Sequence, residues 1–141
     1  MKIALVALLA ASVLGGCATT NRMSDAQRLA LYSANAGAPV ANIRYTDPIS
    51  WEKIDDNHML LTMRPSEAWL LRIAGPCLAW GGSSPTIIID NSLNQLSAGF
   101  DNISVPGLSA KCRIEEIRPV DVAAVRAARN RVGQDQASGA T

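Results

Sequence analysis

The sequence predicts a mainly β domain of the α+β class: a small antiparallel β barrel or curved meander with one N-terminal and one C-terminal helix. Three observations carry this expectation. First, the hydrophobic period changes from helical spacing before Ala41 to short alternating or apolar runs after it. Second, turn residues punctuate those runs, as at Asp47-Pro48, Asp55-Asp56-Asn57, Pro65-Ser66, Gly75-Pro76 and Pro106-Gly107. Third, Ser24 and Asp121 each stand as capping residues ahead of a stretch with helical spacing. With 141 residues, 48% hydrophobic and 18% charged, the chain suits a single core. The expected division is residues 1–16, 17–23, 24–132 and 133–141.

Residues 1–16 stand apart from the domain. Lys2 gives a short positive start, and residues 3–14 form an apolar run broken only by Ser12. That run is too short to cross ~30 Å of hydrocarbon comfortably and has the form of a signal-peptide core. It closes on Leu14-Gly15-Gly16-Cys17, which resembles the bacterial lipobox. The small residues suit a peptidase subsite, and the Cys17 thiol is the nucleophile that would take up diacylglycerol. The alternative, a buried cysteine in a core helix, is opposed by Gly15-Gly16, which would break such a helix. One acyl chain anchors only marginally, whereas the two or three carried by such lipoproteins hold firmly. Membrane lipid, engaged through acylated Cys17, is therefore an expected partner. Ala18 rather than Asp follows the cysteine, which by resemblance to the Gram-negative sorting rule favours the periplasmic face of the outer membrane. Residues 18–23 are polar and reach only about 20 Å when extended, so the domain would stay near the membrane.

The elements follow in order. Ser24-Asp25-Ala26-Gln27 has capping-box form and should start a helix running to about Ala36, stopped by Gly37 and Pro39, with Leu29 and Tyr32 on its packed side. Residues 42–46 and 50–54 suit two strands. Met59, Leu61 and Met63 alternate with His58, Leu60, Thr62 and Arg64 as in a half-buried strand. Pro65-Ser66 leads back into residues 67–74, where Trp69, Leu71 and Ile73 share a face, so a hairpin is expected. Ile87-Ile88-Ile89 suggests a buried strand. Residues 96–100, 104–105 and 111–117 would supply the remaining strands. Asp121 would cap a last helix over residues 122–132, with a flexible polar tail from Gly133.

Cys77 and Cys112 form an even pair in an exported domain and are most simply a disulfide. Closing 35 positions of chain is worth about 4 kcal/mol in the chain-entropy estimate. A redox or metal pair is disfavoured, because C-x-x-C spacing is absent and His58 is the one histidine. Without the leader the chain holds twelve basic and twelve acidic side chains, so no basic excess points to nucleic acid.

No constellation specifies a reaction, and no catalytic, metal or cofactor residues are expected. His58 could be a general base, but beside turn residues a solvated histidine is the plainer reading. Asp55 and Asp56 are adjacent, so on an extended chain their carboxyls diverge, and they suit a turn. Gly81-Gly82-Ser83-Ser84 lacks both the G-x-S-x-G spacing and a Walker lysine, and suits a connector. Trp51, Trp69 and Trp80 could line a ligand groove, with core packing the commoner role. Arg126, Arg129 and Arg131 could meet anionic lipid, with a solvated basic face the plainer reading.

One family shares these features in order. Arg28-Leu29-Ala30-Leu31-Tyr32, Ile49-Ser50-Trp51, residues 64–71 (Arg-Pro-Ser-Glu-Ala-Trp-Leu-Leu), Gly75-Pro76-Cys77, Gly99-Phe100-Asp101 and Cys112-Arg113-Ile114 span nearly the whole mature chain. Together they resemble small proteobacterial lipoproteins known only as a domain family of unknown function. Some members carry two further cysteines, near the positions of Ile43 and just before Gly99. This chain lacks both, which fits loss of one complete bridge and retention of Cys77 with Cys112. The resemblance implies no catalytic residues. The expected role is a non-enzymatic accessory or binding lipoprotein of the envelope. The rivals are a hydrolase built from scattered residues such as His58, Asp101 and Ser83, and a subunit of an envelope complex with an unidentified protein partner.

Overall fold

Ser24 does what its sequence context suggests. In the computed structural model, which describes residues 22–79 and 86–138, its hydroxyl accepts from the Gln27 amide at 3.2 Å. Its own amide donates to Gln27 Oε1 at 2.8 Å. This capping box opens α1, Asp25–Ala34. Residues 36–40 then run antiparallel beside the end of the last strand. Here the Gly37 amide donates to the Pro119 carbonyl at 2.8 Å and the Val40 amide to that of Ile117 at 2.9 Å.

Among the described residues the chain forms β1 (Asn42–Arg44), β2 (Ser50–Lys53), β3 (His58–Arg64), β4 (Glu67–Ile73), β5 (Ile88–Ile89), β6 (Gln95–Ser97), β7 (Asn102–Ser104) and β8 (Lys111–Val120). Six of them make one antiparallel sheet in the order β2-β3-β4-β8-β7-β5, and β1 pairs with β6 in a separate ribbon. The larger sheet curls into a half-barrel. Register shifts between Thr62 and Arg64 and between Arg72 and Ile73 add local bend, as bulges do. The α+β, mainly antiparallel architecture is therefore the one the sequence predicts.

The sheet is covered on both faces. Met59, Leu61, Leu71, Ile73, Ile114 and Ile117 belong to one buried cluster, which also takes in Ile43 and Leu96 from the ribbon. Leu60, Ala68 and Leu70 belong to a second, with Tyr32 from α1 and Val125 from the C-terminal helix. The expectation of a half-buried β3 is corrected by this. Leu60 is only 8% exposed, because helices from both ends of the chain return over the face that alternation alone assigns to water.

Cys77 lies on a single 3-10 turn, Pro76–Leu78, and is disulfide-bonded to Cys112 on β8, with the Cα atoms 5.9 Å apart. Gly75 makes the approach possible: a Cβ there would stand 3.2 Å from Cys112 Sγ. The isoleucine run departs from expectation. Only Ile88–Ile89 is strand; among the described residues it is the terminal strand of the sheet, and Ile88 is 49% exposed.

Asp121 caps the last helix, accepting from the Ala124 amide at 2.9 Å. Helix α2 runs Val122–Ser138, past Gly133, where a flexible tail was expected to begin. A mid-helix glycine costs only about 1 kcal/mol, and residues 134–138 contain no proline to stop the helix. The Ser138 hydroxyl donates to the Gln134 carbonyl at 3.0 Å.

Candidate functional site

Helices α1 and α2 meet through one aromatic residue. Tyr32 is 3% exposed and sits with Leu29 on the sheet-facing side of α1. From α2, Arg129 donates to the Tyr32 hydroxyl oxygen, and its guanidinium carbon lies 5.3 Å from the ring centroid. The same hydroxyl donates to Glu52 Oε2 on β2 at 3.3 Å, and Glu52 pairs with Arg28 at 3.2 Å. Arg28 also donates to the carbonyls of Lys53 and Ile54. Burial first, and then the carboxylate of Glu52, push the Tyr32 phenol above its ordinary pKa, although Arg129 pulls the other way. The phenol therefore stays protonated and serves as a fixed joint between α1, α2 and the sheet.

The outward side of that joint is a groove of about 340 Å³. Met23, Ala30, Leu31 and Val132 give it an apolar lining, and Gln27 borders it. Its two charged lining residues are Arg22 and Arg129. Gln27, Ala30 and Leu31 fall at i, i+3 and i+4, so they share one helix face. That spacing is legible in the sequence. That α2 would close the groove from the opposite side is not, because it depends on how two distant elements dock. Arg126 and Arg131 do not line the groove.

The other sequence candidates take local parts. His58 is not simply solvated: its side chain is 21% exposed and Nδ1 lies 2.9 Å from Asp55 Oδ1. Asp55 also accepts from the amides of Asn57 and His58, each at 2.7 Å, so it forms the turn expected of it. Burial raises the Asp55 pKa, but the Asn57 amide, the His58 ring and the His58 amide together outweigh it and hold the carboxyl below its usual range. Asp56 pairs with Lys53 at 2.7 Å. Asp101 is buried, and its Oδ2 accepts from the Ser97 amide at 2.6 Å. No hydrogen bond or ion pair joins His58 to Asp101 among the described residues.

Trp51 and Trp69 flank Leu61 in register across β2, β3 and β4 and pack, half-buried, against the first cluster. Trp69 Nε1 donates to Glu67 Oε1 at 3.3 Å. Cys17, Trp80 and residues 81–84, including Ser83, lie outside the described residues. Among the described residues, no group of three or more His, Cys, Asp or Glu side chains is placed to hold a metal ion. Nor, among them, is any helix long and apolar enough to cross a membrane.

No curated protein and no solved structure matches the chain. A family model does match, over residues 1–136, and its description is a family of unknown function, DUF6491. The match takes in the capping box, both strands of the β3–β4 hairpin, both bridged cysteines and the Arg129–Tyr32 joint, so the chain belongs to this family of unknown function.

Proposed function

We propose that this protein is a lipoprotein of the bacterial cell envelope, anchored by acyl chains on Cys17, and that its mature domain is a non-enzymatic accessory or binding module. The observation that carries the reading is the apolar run of residues 3–14 closing on Leu14-Gly15-Gly16-Cys17. A disulfide between the two remaining cysteines suits an exported domain. Ala18 favours the outer membrane over the inner. The test is mass spectrometry of the protein recovered from cell membranes. The N-terminal peptide should begin at Cys17 and carry acyl chains, and Cys17→Ala should release the domain from the membrane fraction or leave its leader uncut. An intact, soluble, unacylated chain in wild-type cells would overturn the reading.

A subunit role in an envelope complex is the second reading, and specific exposed side chains favour it. Leu93 is 96% exposed at φ +54°, and Phe100 is 83% exposed. Leu93 and Asn94 are the central pair of a tight turn closed by reciprocal backbone hydrogen bonds between Ser92 and Gln95, which holds the leucine side chain out at an exposed tip. A partner captured by the wild-type chain and lost from both Leu93→Asp and Phe100→Asp would support this role. Capture unaffected by either change would sink it.

A further inference from the structure

Three features of the α1–α2 groove point to one kind of occupant. The first is charge: among the described residues Arg22 and Arg129 line it and no acidic side chain does, so its complement is an anion. Arg22 is exposed and makes no ion pair among the described residues. Arg129 spends one arm on Tyr32, and a guanidinium has five N–H donors in all. The second is the apolar lining from Met23, Ala30, Leu31 and Val132, which would be wasted on a bare inorganic ion. The third is position. Arg22, which lines the groove, stands five positions after Cys17, the residue that would carry the anchor. Five residues span at most about 17 Å, which keeps this rim within reach of the lipid surface.

We propose that the groove seats the headgroup and glycerol region of an anionic phospholipid in the membrane to which the chain is anchored. The phosphate would lie between Arg22 and Arg129, and the upper acyl segment against Leu31 and Val132. This rests on the lipoprotein reading, and it adds a function for the domain's membrane-facing side. A single lipid attachment leaves a domain free to swivel, whereas a second contact of this chemistry would fix which face of the half-barrel points away from the membrane. The occupant must be amphiphilic and negatively charged, so a zwitterionic lipid should be a poor substitute.

The experiment uses the protein as recovered from cell membranes, reconstituted into vesicles of phosphatidylcholine alone or of phosphatidylcholine mixed with phosphatidylglycerol. Hydrogen–deuterium exchange is followed on peptides from residues 22–34 and 122–138. With phosphatidylglycerol present, these segments should exchange about fivefold more slowly, the weight of roughly one surface arginine, while β3 and β4 peptides stay unchanged. The slowing should vanish with Arg22→Glu, at a position that makes no ion pair among the described residues, and shrink at high salt. Inorganic phosphate added to the phosphatidylcholine vesicles should not reproduce it. Equal exchange in the two lipids would overturn the proposal, as would slowing that survives Arg22→Glu or is matched by phosphate alone. The mass of the N-terminal peptide in the same sample reports the anchor separately, so a failed anchor and an empty groove give different results.

Discussion

Gly75 sits at φ +86° and ψ −173°, backbone that residues with a Cβ essentially never adopt. Its own missing Cβ would also crowd the disulfide, 3.2 Å from Cys112 Sγ. Gly75→Ala should therefore cost about 2 kcal/mol, within the range for a residue forced into such a region. Urea unfolding of the oxidised protein would check it; an unchanged midpoint would show that the loop relaxes freely. The sequence marks Gly75-Pro76 as a break ahead of Cys77, but not the closeness to Cys112, which exists only once β8 is in place. Asp55 gives a pH dependence of definite sign. Its folded pKa lies below its unfolded value, so it stabilises the fold above the ordinary carboxylate range. That contribution is lost as pH falls through the folded value. The thermal midpoint of the wild type should thus fall in acid, and its advantage over Asp55→Ala, about 1 kcal/mol for a turn-forming carboxylate near neutrality, should narrow there. An advantage constant with pH would mean that the ionised carboxylate carries none of it.

Elements whose signals are local were the readable ones. The capping box at Ser24 and Gln27, the Asp121 cap and the Pro65-Ser66 hairpin each depend on residues within a few positions, and each forms. Pairings between distant segments were not readable. β1 finds its partner in β6, some fifty positions on, and β8 continues to Val120 opposite Ala68 of β4, with the Gly37 amide donating to the Pro119 carbonyl from its other side. The disulfide sits between these cases, since the cysteine count suggests the pair while the fold supplies the geometry. It closes the loop from the 3-10 turn to β8 and so spans the segment that contributes β5, β6 and β7. Replacing both cysteines by serine should cost about 4 kcal/mol, a large share of the 5–15 kcal/mol typical of a domain. Denaturant midpoints of the double variant and the oxidised wild type give the comparison. A loss below about 1 kcal/mol would show that the reduced chain already holds these segments together.

At the scale of the molecule, the decisive fact is that α1 and α2 both pack on the same face of the sheet. Simple alternation along β3 assigns Leu60 to solvent, yet Leu60 and Leu70 are 8% and 4% exposed beneath α1 and α2. A domain whose sheet faces water on one side would tolerate truncation there. In this one, Leu70→Ala should cost about 3 kcal/mol, close to the cost of Leu71→Ala on the opposite face, because both leave a cavity in packed surroundings. Coupling distinguishes the two layers. Leu70 and Val125 share one cluster, and Leu71 belongs to the other. Leu70→Ala and Val125→Ala should therefore be non-additive by at least about 0.5 kcal/mol, whereas Leu71→Ala should add to Val125→Ala independently. If Leu70→Ala proves nearly neutral, or its effect adds to that of Val125→Ala without coupling, then α2 does not close over the sheet in solution. The Arg129–Tyr32 joint and the groove beside it would then lose the surface on which they are built.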